Sequence, residues 1–381
     1  MQADWDDFVS QHTGGIYMTY DWLKTWWQFY GEGKQLRLFI FFHDNKLVAL
    51  LPIYLETFAA GPLKTTVARL VGANIPPKTF DPPMDSAFAE EVFARVLKQL
   101  FAQDHCDLLA LGPVSDTWPP AVAFRKACAQ ARELVSPPAY EQRDVQTVFR
   151  LPPAFDQYVA SLSSSERKNR MKRVRHLERD HRVSSDIVSD ATLVQQEFTA
   201  FALQHARQWQ AIGKAGHFGA WPRGEAYNRA LVKAQAKHGR VSFFRMLVDG
   251  QVVSSRYTFI LGGTVYSELP AREVGEPWDK LGIGGISLVK FIESTIREEL
   301  TVIDSGLGTY EHKAQLGGDQ IPVGIWYVPA RGSSHLKARI FRMVAKGVLF
   351  ACRKLWYSRV LPRMPRFFKR TQAQWWLRFD V

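Results

Sequence analysis

Three glycines just ahead of an amphipathic helix are the sharpest chemical signal in this chain of 381 residues. Gly282, Gly284 and Gly285 precede Ile286, Val289, Ile292 and Ile296, four apolar residues that share one helix face at about 100° per residue. Glycines in that place let a ligand approach the backbone closely. The free N–H groups and positive dipole end of the helix then face an anion, most often a phosphate, and a diphosphate fits there. Lys280 and Ser287 flank the turn and complete this candidate cofactor site. The glycine spacing does not match a nicotinamide fingerprint, and no β-α-β unit opens the domain. Neither half holds Gly-x-Ser-x-Gly or a Cys-His pair suited to catalysis, which disfavours a protein nucleophile. The three cysteines, Cys106, Cys128 and Cys352, are odd in number, widely spaced and without a metal-ligand pattern, so no disulfide framework and no metal are expected. His205 and Trp209 lie four apart on one helix face and are candidates to line an acceptor pocket, with a satisfied core histidine as the plainer reading. Glu268, at the end of the strand before the glycine turn, is a further candidate for the acceptor side and a competing base.

The elements that position these residues recur along the chain. Leu36–Phe42 and Leu47–Leu55 read as two strands around a turn, and some two hundred residues later Val241–Val248 and Val252–Ile260 repeat the pattern around Asp249-Gly250. A tryptophan-bearing helical segment precedes each hairpin, Tyr20–Tyr30 and Phe198–Ile212, and a helix and short strand follow each. Such a repeat predicts two structurally related domains, 1–145 and 146–330, each a mixed α+β unit. Ser163 and Glu166 form a capping box that starts a helix running to about Asp180. Around that helix Arg167, Lys168, Arg170, Lys172, Arg173, Arg175, Arg179 and Arg182 outnumber Glu166, Glu178 and Asp180, giving either a solvated face or an anion-binding one.

The charge is unevenly distributed. Residues 331–381 hold 13 basic side chains and one acid, Asp380, while 1–330 are balanced. Leu336, Ile340, Val344, Val348, Ala351 and Leu355 recur at helical spacing, with Arg339, Arg342, Lys346, Arg353 and Lys354 outside the stripe. Aromatic residues interleaved with arginines suit an anionic membrane surface, and the same composition also fits a helix packed on the body or an RNA-binding arm. At 46% hydrophobic residues the chain has apolar surface enough to fold, which excludes wholesale disorder. The longest apolar runs, such as Leu47–Ile53, reach about a third of the roughly 20 residues a membrane-spanning helix needs. The acidic start, Met-Gln-Ala-Asp-Trp-Asp-Asp, is not a secretory signal, so a cytoplasmic location is expected, with peripheral contact at the inner face of the membrane through 331–381.

The second half resembles the CelD-like or BioF-like acetyltransferase domain of the GNAT acyltransferase superfamily, related to the FemABX peptidyltransferases. The residues that carry the likeness are the basic helix Ser163–Arg175, the Trp209 helix, the Gly239–Ile260 hairpin, the glycine turn and helix Leu281–Ile296, and Ile303-Asp-Ser-Gly-Leu-Gly-Thr-Tyr-Glu-His-Lys313. The resemblance implies two tandem GNAT-like folds, with a basic helical tail at 331–381. It also implies direct acyl transfer from acyl-CoA, typically acetyl-CoA, to an amine or hydroxyl of a sugar or cell-envelope precursor. The chain departs from the family at Asp279, where the phosphate-binding signature begins with Gln or Arg; Lys280 beside it is a compensating cation. Transfer needs a proton acceptor, an acid for the leaving thiolate and a stabiliser of negative charge. Asp304, Tyr310 and Lys313 are the respective candidates, against the plainer readings of loop cap, loop anchor and surface charge. Two alternatives stand beside this reading: transfer of an aminoacyl group from tRNA, with the basic clusters as RNA contacts, and a non-catalytic GNAT scaffold in polysaccharide synthesis.

Overall fold

The computed structural model describes residues 2–12, 14–60, 63–73, 78–360, 363 and 378–379. The chain divides into two compact units; the first holds Met1–Val145 and takes up the chain again from Ile321, and the second holds Gln146–Gln320.

In the first unit α1 (Gln2–Gln11) and α2 (Tyr20–Tyr30) lead into β1 (Gln35–His43), β2 (Lys46–Ala60) and β3 (Leu63–Leu70), followed by α3 (Ala89–Leu97), β4 (Leu108–Ser115) and α4 (Ala121–Gln130). Asp44 and Asn45 both take positive φ, the tight turn that lets β1 and β2 pair antiparallel from His43↔Lys46 onward. β2 pairs β3 antiparallel, and β3 pairs β4 in parallel. β5 (Ala139–Arg150) then carries the chain into the second unit.

The second unit repeats the plan. It runs through α5 (Phe155–Ser161), α6 (Ser164–Asp180), β6 (Val183–Val188), α7 (Val194–Ala211), α8 (Gly216–Ala220), α9 (Gly224–Ala236), β7 (Val241–Val248), β8 (Gln251–Leu261) and β9 (Thr264–Arg272). It closes with α10 (Trp278–Leu281), α11 (Ile283–Arg297), β10 (Val302–Leu307) and α12 (Glu311–Gln315). Asp249-Gly250 and Gly262-Gly263 have positive φ and make the β7–β8 and β8–β9 hairpins. β9 and β10 pair in parallel, as β3 and β4 do, and α11 fills the crossover that α3 fills in the first unit. The capping box at the start of α6 is half made: Ser163 Oγ accepts from the Glu166 N–H at 3.3 Å, while the Glu166 carboxylate turns to Arg170 at 2.9 Å. One face of this sheet buries Phe244, Met246 and Ile303 against Val174 and Leu177 of α6 and Ile286, Val289 and Ile292 of α11. The other face meets α7 through ring contacts of Phe198 and Phe201 with Phe243 and Tyr257.

The outlined boundary at 330 needs correction. β11 (Asp319–Pro329) pairs antiparallel with β4 from Val323↔Ser115 to Pro329↔Leu108 and so completes the sheet of the first unit. α13 (Ser333–Phe350) packs on that same sheet, with Ala338, Phe341 and Ala345 against Phe58, Val67, Leu108 and Tyr327. Over its described part the segment 331–381 is therefore no separate tail. The physical reason is that α13 has apolar residues on a second face, Ala338, Phe341, Ala345 and Leu349, which the first unit buries.

Candidate functional site

α10 ends and α11 begins on one residue, Gly282, whose φ of 69° lies in the left-handed region where a side chain is strained. Gly285 and Ile286 donate their N–H groups back to the Gly282 carbonyl, at 3.0 and 3.4 Å. The N–H groups of Ile283 and Gly284 belong to the first helical turn, which supplies no acceptor for them. Ile283 and Gly284 line a cavity of about 470 Å³, together with Gly282, Gly285 and four arginines, Arg170, Arg173, Arg256 and Arg272. A volume of that order is typical of a small-ligand cleft.

Each arginine is held from a different place. Arg170 and Arg173 come from α6; a Cβ added at Gly285 would lie 3.3 Å from Arg170 Nη1, and one at Gly282 would lie 3.0 Å from Arg173 Nη1. Arg272, at the end of β9, donates to Asp279 at 2.6 Å, and Asp279 also accepts from the Gly275 N–H at 2.8 Å. Asp279, the departure noted in the sequence, is thus a staple that fixes Arg272 beside the glycines. Arg256 differs from the other three. It is only 8% exposed, its guanidinium lies 5.1 Å from the Phe291 ring centre, and its Nε has no hydrogen-bond partner. Burial pushes its pKa down to about 10, which leaves it charged at neutral pH. Among the described residues Glu166 pairs with Arg170 and Asp279 with Arg272, and no carboxylate pairs with Arg256. A buried cation without an acid at the positive end of a helix is the electrostatic signature of a site for an anion. His312 of α12 also lines the cavity, its pKa lowered first by burial and then by the charges of Lys313, Arg170 and Arg256.

The equivalent helix of the first unit could not serve this way. α3 carries Glu90 and Glu91 in its first turn, which repel a phosphate.

Beside the cavity the sheet opens. β9 and β10 pair from Val302↔Thr264 to Asp304↔Tyr266 and no further, and β10 loses register between Asp304 and Leu307. Asp304 is buried and accepts from Gln146 Nε2 and from the Gly306 N–H, both at 2.8 Å. Lys313 Nζ donates to the Ser305 carbonyl at 2.7 Å and lies 4.7 Å from the ring centre of Tyr310, which is half exposed. The three residues are brought together around the 304–306 turn, but none lines the arginine cavity. Glu268 is buried on β9, just past the last β9–β10 pair, and its charge adds to burial in raising the pKa of Tyr257. Tyr257 faces α7, whereas Arg256 and Ser254 face α11, so Glu268 and the cavity meet the sheet from opposite sides.

Other expected residues sit elsewhere. Lys280 is exposed and outside the cavity lining, and Ser287 is buried one turn down α11, donating to Ser254 Oγ at 2.8 Å. His205 is a core residue. Because the Pro270 carbonyl, 3.1 Å away, can only accept, His205 Nδ1 donates and Nε2 accepts from His217 Nδ1 at 3.1 Å. Burial lowers its pKa to about 4. Trp209 packs edge-on against His217 at 5.2 Å. Gln208, directly before Trp209 in sequence, reaches the cavity and accepts from the Arg272 N–H at 3.0 Å. Gln208, Arg256, Arg272 and His312 are among the lining residues that the sequence did not single out. Among the described residues no group of His, Cys, Asp or Glu could hold a metal, and no helix is long and apolar enough to cross a membrane.

Residues 164–314, which contain the whole cavity lining but one residue, match the family model of the acetyltransferase (GNAT) domain. This segment is similar to a GNAT domain. Among solved structures the chain is similar to FemX, with a TM-score of 0.62 at 10% identity, covering 90% of this chain and 98% of that one. It is similar to the C-terminal DUF2156 domain of a protein assigned as a lysylphosphatidylglycerol synthetase from Agrobacterium fabrum, with a TM-score of 0.52 at 10% identity over 91% and 95% of the two chains. L-PGS from Bacillus licheniformis gives a TM-score of 0.50 at 11% identity over 90% and 97%. Likeness at such identities concerns the fold, and the fold is two tandem GNAT-like units of mixed α and β structure. A search of curated protein sequences finds no match.

Proposed function

We propose that the chain is an acyl-CoA-dependent acyltransferase that moves an acyl group directly onto an amine or hydroxyl of a sugar or other cell-envelope precursor. The observation that carries this reading is the arginine cavity at the glycine start of α11, with the uncompensated charge of Arg256 at its wall. Acyl-CoA supplies a thioester already activated for attack and a diphosphate that fits the donors. The Ile283 and Gly284 N–H groups, Arg170, Arg173 and Arg272 hold that diphosphate. The acceptor enters from the α7 side, where Glu268 is the carboxylate available to take the proton from the attacking amine or hydroxyl. Asp304 and Lys313 keep the 304–306 turn in shape so that β9 and β10 stay parted, and the half-exposed Tyr310 phenol is the remaining candidate acid for the leaving thiolate. The acceptor class is supported by the likeness of the Ile303–Lys313 segment to the CelD-like group and by the names of the solved neighbours, FemX and the lysylphosphatidylglycerol synthetase domain.

One observation favours a second donor, an aminoacyl-tRNA. A further cavity of about 520 Å³ lies along α6, lined by Glu166, Asn169, Lys172 and His176 and sharing Arg170 and Arg173 with the first, so that its basic residues outnumber its one acid. Together the two make a cationic path longer than a diphosphate requires, which suits a nucleic-acid backbone. Thermal-shift titration separates the readings. Under the first, acetyl-CoA or a longer acyl-CoA raises the melting temperature and Gly284→Trp abolishes the rise. Salt-sensitive binding of tRNA with no response to any acyl-CoA would replace it with the second.

A further inference from the structure

α13 has two apolar faces, and only one is used by the fold. Ala338, Phe341, Ala345 and Leu349 are buried, three of them against the sheet of the first unit. On the other side Leu336, Met343 and Phe350 are 60%, 68% and 59% exposed, and Val344 is half exposed. At about 100° per residue Leu336, Met343 and Phe350 fall within about 40° of one another, with the buried row on the opposite side of the helix. A helix that packs one face normally shows water a polar one. Here the face shown to water is a continuous apolar row.

The charges around that row have one sign. From Arg331 onward every charged side chain among the described residues is basic. Glu141 offsets Arg342 and Lys346, at 3.2 Å for the lysine, and Asp107 lies 3.8 Å from Lys337 Nζ. Arg339 and Lys354 are exposed beside the apolar row. An apolar groove of about 230 Å³ continues the surface between Ile340, Val344 and Val348 and the rings of Phe58 and Phe379.

We propose that the outer face of α13 docks the protein on an anionic phospholipid bilayer. Apolar burial in the headgroup boundary and about 1 kcal/mol for each basic residue near an anionic surface act together in this geometry. A second copy of the chain is a poorer occupant, because two such faces would bring cationic rows together. The inference is independent of the proposed transfer reaction, since no residue of α13 lines the arginine cavity.

The experiment is co-sedimentation of the full chain with phosphatidylcholine vesicles, with and without phosphatidylglycerol, alongside the double variant Leu336→Glu, Met343→Glu and the charge variant Arg339→Glu, Lys354→Glu. All four side chains are exposed, so both variants should keep the native melting temperature. Expected are binding only to vesicles containing phosphatidylglycerol, a loss of about tenfold or more in partition for the double apolar variant, and weakened, less salt-sensitive binding for the charge variant. Equal sedimentation of wild type and apolar variant would overturn the proposal, as would the absence of binding to either vesicle. A concentration-dependent dimer in sedimentation velocity, abolished by the same apolar substitutions and accompanied by no vesicle binding, would assign the face to a second copy instead.

Discussion

Arg272 and Asp279 meet at 2.6 Å beside the glycine turn, so one of the four cations around the α11 N-terminus is held in place by a carboxylate of the same cavity. The pair both positions Arg272 and subtracts charge from the site. Replacing Asp279 by Asn keeps an acceptor for the Gly275 N–H and removes the negative charge. Acyl-CoA or diphosphate affinity should then rise by about threefold at low salt, the gain fading at high salt, as isothermal titration would record. Weaker binding by Asp279→Asn would mean that holding Arg272 matters more than the charge it gives up.

Arg256 sets stability against binding. A buried guanidinium without an acid costs the folded state, so Arg256→Met, which keeps much of the shape, should raise the melting temperature of the free protein by a few degrees. The same variant should lose about ten- to a hundredfold in affinity for a phosphate-bearing donor, the worth of a hydrogen bond to a charged group. A variant that is both less stable and equally good at binding would show that Arg256 serves the fold alone.

Glu268 and Asp304 can be told apart by kinetics. Glu268→Gln should lower kcat by about 10²- to 10⁴-fold while leaving the KM for the donor unchanged. Asp304→Asn should chiefly lower the melting temperature, because Asp304 holds the Gly306 N–H and Gln146 in the turn that ends β9–β10 pairing. If Asp304→Asn is folded and inactive while Glu268→Gln is active, the base is Asp304.

His205 gives the protein a pH-dependent stability. Its pKa falls from 6.5 in the unfolded chain to about 4 in the folded one, so below 6.5 the unfolded state binds the extra proton. The stabilisation is complete above pH 6.5 and is lost progressively down to about 4, up to about 3 kcal/mol in total. Urea unfolding at pH 7 and pH 5 should show this loss in the wild type and a smaller one in His205→Gln. An identical pH dependence in both would assign the effect to other groups.

Much of the second unit is legible locally. The start of α6 follows from Ser163 and Glu166, and the hairpin β7–β8 from Asp249-Gly250 between two apolar runs. The glycine turn at 282–285 is readable because glycine ahead of an apolar helix face has few other uses. What is not legible depends on contacts between distant segments. Arg256 sits mid-strand, where an arginine ordinarily faces water, and only the packing of Phe291 from α11 puts it inside. Gln208 is masked by its neighbours His205 and Trp209, whose aromatic spacing draws the eye to the wrong face of α7. Along α13 and the turns that follow it the stripe from Leu336 to Leu355 is plain, whereas two of the four residues in the buried row, Ala338 and Ala345, are alanines, a weak signal of a packed face.

The crossing of β11 back into the first unit has a consequence for synthesis. Val323, Ile325 and Tyr327 fill the core beside β4, yet they are translated only after all of Gln146–Gln320 has left the ribosome. The half of the polypeptide made first is therefore the half completed last. A stop codon directly after Gln320 should yield a chain whose GNAT-like portion is present but whose leading portion remains an open, aggregation-prone sheet edge awaiting its final strand.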